Sequence, residues 1–222
     1  RESSWDTSYI GVTLAKIGPP DTVNGDRRTM QIVAASDDTE VFMLPTFEIA
    51  GGPDVEPAAA GEVTSWTLQR GQVLQFTQDG LASGSPIQSN KPIGLFGGAP
   101  CTFIPGDIGY CDLFQQQIAP FSQWGAEYVL APFRSRDESL SGPRRELVAW
   151  SFVGAVDDTE LTWSPSKPPG APDRLSAGQV ATFMSDSIVS VKSQDRRHPF
   201  HAAVYMTGST FGSGRGGHTL GD

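Results

Sequence analysis

Five short blocks of this chain recur in the same order more than a hundred residues later, so one folding solution must serve two stretches of sequence. Ser4-Trp5, with Tyr9-Ile10 beyond it, lines up with Gln123-Trp124 and Tyr128-Val129. Arg27-Arg28 pairs with Arg144-Arg145, and Ile32-Val33 with Asp37-Asp38-Thr39-Glu40-Val41 pairs with Phe152-Val153 and Asp157-Asp158-Thr159-Glu160-Leu161. Leu68-Gln-Arg-Gly71-Gln72-Val73 matches Leu175-Ser-Ala-Gly178-Gln179-Val180, and Lys91-Pro92 matches His198-Pro199. The offsets run from 107 to 120 residues and change in Pro/Gly-rich stretches, where loops tolerate insertion.

The blocks read as strands. Ile10, Val12 and Leu14 alternate with Tyr9, Gly11 and Thr13, the period of two of a half-buried strand. Val41 with Met43, Leu161 with Trp163, Trp66 with Leu68, and Val189 with Val191 repeat the pattern. The 25 glycines and 17 prolines recur at short intervals and punctuate many turns. The Asp-Asp-Thr blocks read as hairpin turns, with a Ca²⁺ site at Asp37, Asp38, Asp157 and Asp158 as the alternative. Pro92 lacks a donor and is expected at a strand's first position or on an edge. Only Leu113 to Ile118 reads as a helical turn or two, closed by Pro120. A period above a hundred residues is too long for propeller blades or solenoid turns. The expected fold is all-β: two tandem β-sandwich or barrel-like units, 1–123 and 124–222, with the second incomplete at its C-terminal end and the polypeptide continuing beyond Asp222.

The net charge of −9 and a pI near 4.7 repel phosphate backbones and anionic headgroups, so no nucleic-acid partner is expected. No run approaches the roughly 18 apolar residues that span a bilayer, so no membrane insertion is expected in this segment. Cys101 and Cys111 lie close together in a turn-rich stretch. They read as a disulfide, which implies an oxidising compartment, with two unrelated buried thiols as the alternative. A zinc site would need about four ligands, and no His or further Cys is near.

One stretch is specific enough to compare with a family. Gly84-Ser-Pro-Ile-Gln-Ser-Asn-Lys91-Pro92-Ile-Gly-Leu-Phe96 runs on to Cys101 and Cys111, then to Gln116-Gln117-Ile-Ala-Pro120, Trp124-Gly125 and the strand ending in Pro132-Phe133. This resembles the N-terminal domain family of the IgGFc-binding protein, in the form found in bacterial surface and secreted proteins. Gln116 stands where that family usually has Glu, and Ala119 where the first of two prolines often sits. The resemblance covers nearly the whole chain. It implies a secreted or cell-surface location and a binding or adhesive role, with no catalytic residue to carry over.

The residues agree with a non-catalytic reading. No nucleophile elbow, zinc-protease motif, P-loop or dinucleotide fingerprint is present, and no cofactor is expected. His198, His201 and His218 all fall in the last stretch, and the first two would lie on opposite faces of a strand. Asp107 and Asp112 flank the cysteine loop and are the first candidates for a glycosidase carboxylate pair, a distant third reading. The favoured reading is a module that recognises a surface protein or glycan through loops. Its candidate contact residues are Asp107, Tyr110, Phe121, Arg134 and Arg136, with Trp66 added if it faces outward. The alternative is a structural spacer in a longer surface protein or filament.

Overall fold

The computed structural model describes residues 4–13, 17, 27–79, 83–105, 111–134 and 145–208. The fold is all-β. Contacts divide the described residues into two compact units. The first holds 4–13, 27–79, 83–100 and 113–124; the second holds 17, 101–105, 111–112 and 125–208.

In the first unit, strands β1 (Asp6–Ile10), β2 (Arg27–Ala34), β3 (Thr39–Met43), β4 (Thr64–Leu68), β5 (Val73–Asp79), β6 (Pro86–Thr102) and β7 (Asp112–Gln117) form one antiparallel sheet. It is ordered β4-β3-β6-β2-β5, with β1 and β7 also paired to β6. The long β6 changes partner along its length. Ile87 to Ser89 pair with β3, and Ile93 to Gly98 pair with β2. Pro92 stands inside β6, not at a strand start or edge as expected. It falls where the strand has left β3 and not yet joined β2, so neither ladder needs its missing N–H, while its carbonyl accepts Ala35 N–H at 3.3 Å.

The segment expected to be helical, Leu113 to Ile118, is strand β7 through Gln117. Its local sequence is compatible with either state, and pairing with β6 decides it. Two glycines let other backbones approach β6. A Cβ on Gly97 would lie 1.8 Å from Val12 O, and one on Gly98 would lie 2.0 Å from Phe114 O. Trp5 lies over Gly94 in the same manner.

In the second unit, β8 (Glu127–Leu130), β9 (Val148–Gly154), β10 (Thr159–Ser164), β11 (Arg174–Leu175), β12 (Val180–Ser185), β13 (Val189–Ser193) and β14 (Phe200–Tyr205) form two sheets, β11-β10-β13-β8 and β12-β9-β14. Pairing registers correspond to those of the first unit. Thr39 faces Leu68, and Thr159 faces Leu175. Tyr9 faces Ile87, and Tyr128 faces Val191. Val33 faces Gly94, and Val153 faces His201. The doubled arginines do not correspond in this way: Arg28 is buried in β2, whereas Arg145 precedes β9 and bridges to Arg134.

The Asp-Asp-Thr blocks are turns in both units. Asp38 and Asp158 take φ of 50° and 55°, the left-handed conformation that Asp tolerates better than most residues. Thr39 and Thr159 hydroxyls donate back to the carbonyls of Ser36 and Val156. The carboxylates of Asp37 and Asp157 accept the backbone N–H of Arg70 and Ala177. The Leu-x-x-Gly-Gln blocks complete the same corner. Gly71 and Gly178 take φ of 77° and 73°, and Gln72 and Gln179 side chains accept the N–H of Gln69 and Ser176. Each repeated residue type thus satisfies one backbone requirement of one corner.

The core of the first unit is built on Tyr9, Met30, Ile32, Met43, Ile87, Ile93 and Leu95, all at most 1% exposed. The second is aromatic at its centre: Phe152 stacks on Trp163 at 5.8 Å and meets Phe183 and Phe200 at 5.3 Å. Trp66 is buried against Phe76 and is therefore not an outward contact residue.

Candidate functional site

Strand alternation places Thr29 and Gln31 of β2 on the outer face of the first unit, opposite the buried Met30 and Ile32. On β5 their partners are Thr77 and Gln75, and on β6 they are Gly98 and Phe96. The Thr29 and Thr77 hydroxyls share a hydrogen bond of 3.0 Å. Gln31 Nε2 donates to Gln75 Oε1 at 2.7 Å, and Gln115 Nε2 from β7 donates to Gln31 Oε1. Together they line a groove of ≈ 460 Å³, including its solvent-open part, whose lining carries no charged side chain. Because Gly98 has no side chain, the β7 backbone closes on β6 at one wall. Leu113, 72% exposed, stands on that wall.

A second concavity lies in the second unit, between Arg145, Pro165, Ser166, Asp186, Ser187, Ile188 and Val189. It is wider and more open, and it carries both signs of charge. Its Ser187 is committed locally: the N–H donates to Ser185 Oγ, and the hydroxyl to Asp186.

Of the expected contact residues, Phe121 and Arg134 are among the described residues, and neither lines either concavity. Phe121 lies in a single 3-10 turn, Phe121–Gln123, half-buried and edge-on to Trp124 at 6.0 Å. Arg134 is exposed beside its bridge partner Arg145, which lines the cleft of the second unit. Asp107, Tyr110 and Arg136 lie outside the described residues. Cys101 and Cys111 form a disulfide, with Cα atoms 5.2 Å apart, that joins the end of β6 to the residue preceding β7. Sequence reasoning looked to loops and missed the groove. The signal available was the Thr-x-Gln and Gln-x-Thr alternation on two strands, which reads equally well as an ordinary solvated sheet face.

Titration points to structure more than chemistry. Burial raises the Tyr9 and Tyr128 phenols; Tyr9 donates to Ile93 O at 2.8 Å, and Tyr128 to Phe200 O at 2.7 Å. The hydrogen bond to His198 at 2.8 Å leads the lowering of the Asp195 carboxyl, which also accepts Arg197 N–H. Thr7 N–H and the Ser122 hydroxyl lower Asp6. Desolvation pushes His201 down to about 4. Of these shifted groups, none lines the groove or the cleft. Among the described residues no three His, Cys, Asp or Glu side chains are grouped to hold a metal ion, and no helix is long and apolar enough to cross a membrane.

The chain is similar to the human IgGFc-binding protein, 26% identical over 174 residues. That match covers 78% of this chain but 3% of the human protein, so the chain spans a small fraction of its relative's length. No solved structure matches. The family model described as IgGFc binding protein matches residues 1–222, from the first to the last. The chain therefore belongs to the IgGFc binding protein family.

Proposed function

We propose that this chain is a non-catalytic recognition module of a secreted or cell-surface protein, which binds an extracellular protein or its glycans in an adhesive role. Family membership over the whole chain carries the reading. The Cys101–Cys111 disulfide supports an oxidising, extracellular compartment. A groove lined by neutral side chains, with no strongly shifted acid or base in it, supports binding over catalysis. The experiment is to immobilise the whole chain and probe it with a panel of secreted and surface proteins, immunoglobulin Fc among them. Saturable retention of a member of the panel is the expected result. Silence across the panel together with turnover in a glycan and peptide substrate screen would overturn it.

The spacer reading has its own support. Corresponding registers in the two units, with the corner hydrogen bonds of Asp37 and Asp157 repeated, favour two copies of one module meeting near residues 123 and 124. A module duplicated for length would bind nothing in the panel and show no turnover either.

A further inference from the structure

We infer that the groove of the first unit is a binding site for a neutral oligosaccharide, recognised by the amides of Gln31, Gln75 and Gln115 and the hydroxyls of Thr29 and Thr77. The inference rests on the recognition reading and names the ligand class and the site.

The fold does not require these side chains. At the positions of β9 that correspond in register to Thr29 and Gln31 of β2 stand Ala149 and Ser151, both buried. On β12, Thr182 and Met184 stand where Gln75 and Thr77 stand on β5. A strand pair of the same register is thus built without the amides, which belong to one unit.

The chemistry of the lining selects the occupant. The chain carries a net charge of −9, yet this groove is lined without a single Asp, Glu, Lys or Arg. A charged ligand would lose its hydration there and find no counter-charge. On the groove floor a peptide would find no main-chain ladder, because the backbone of β2 is paired to β5 on one side and β6 on the other. There side chains do the recognising. Each primary amide offers donors and an acceptor in one plane, and each sugar hydroxyl donates and accepts at once, so the two sets match. The amides are already oriented: Gln115 donates to Gln31, which donates to Gln75. This ordering lowers the entropy lost on binding. Phe96 in the lining and Leu113 on the wall supply apolar surface for the C–H face of a pyranose ring.

The test uses the whole 222-residue chain on an array of neutral hexose and N-acetylhexosamine oligosaccharides, with sialylated and sulfated forms of the same cores beside them. Retention of neutral members is expected, with the anionic forms weaker. The variants Gln31→Ala and Gln75→Ala should each weaken binding about tenfold, equal to about 1.4 kcal/mol. A Lys192→Ala variant, at an exposed position of β13 that lines neither concavity, should leave binding unchanged. Far-UV circular dichroism and melting temperature check that each variant is folded, and amide side-chain NMR shifts of Gln31, Gln75 and Gln115 on adding a retained glycan locate the site independently. Binding that prefers anionic glycans, or that both Gln variants leave intact, overturns the proposal. So does absence of neutral-glycan retention. If a protein partner from the panel still binds after enzymatic removal of its glycans, and binds the Gln variants equally, the glycan site fails while the recognition reading survives.

Discussion

The phenol of Tyr9 donates to the carbonyl of Ile93, 84 residues away, at 2.8 Å, while its oxygen accepts Asp6 N–H at 3.0 Å. One hydroxyl thus ties the start of β1 to the middle of β6. Tyr128 makes the same pair of bonds in the second unit, accepting Gly125 N–H and donating to Phe200 O. Tyr9→Phe removes both bonds and leaves a carbonyl and an N–H without that partner, at a cost of about 1–2 kcal/mol. Tyr128→Phe should cost a similar amount. Urea unfolding followed by fluorescence checks both, and an unchanged midpoint in either variant would show that water replaces the phenol at no cost.

The glycines of β6 make a sharper contrast. Gly97→Ala places a Cβ 1.8 Å from the Val12 carbonyl oxygen, a backbone atom with no rotamer to escape into. The expected loss is about 3 kcal/mol or more. Gly52→Ala meets nothing within 4 Å and should change stability by less than about 0.5 kcal/mol. Melting temperatures of the two variants measured side by side decide the matter; equal values would mean that β6 and Val12 separate freely.

His201 sets a pH dependence. Its folded-state pKa, about 4, lies below the ordinary 6.5, so the unfolded chain takes up the proton first as pH falls. The stability contributed is whole above about pH 6.5 and is lost progressively down to about pH 4. The residue is only partly buried, although its Nδ1 is sealed from solvent, so we expect about 1–3 kcal/mol over that window. Denaturant titrations from pH 7 to pH 4 test this, with His201→Leu expected to flatten the slope. An imidazole NMR titration with a midpoint near 6.5 would contradict it.

Local chemistry alone determined the corners and the strands around them. The Asp-Asp-Thr and Leu-x-x-Gly-Gln blocks announce turns because each residue satisfies a nearby backbone group: left-handed φ at Asp38 and Gly71, an accepted N–H at Asp37 and Gln72. The alternation of Val41 with Met43 and of Leu161 with Trp163 marked their inward faces for the same reason, since side chains on a strand have only two directions. The cysteines were also close enough in sequence for their pairing to be read.

Tertiary structure decided whatever depends on a partner far along the chain. Leu113 to Gln117 became a strand because β6 offered it a ladder, and Pro92 could sit inside a strand because β6 changes neighbours there. Trp66 turned inward against Phe76, where alternation alone left either face open. The groove belongs to this second class. Thr29, Gln31, Gln75 and Gln115 come from three strands, and no spacing in the sequence shows that their amides and hydroxyls meet. Polar residues on an outer face are the rule for a solvated sheet, and only strand order and register show when they converge into a site.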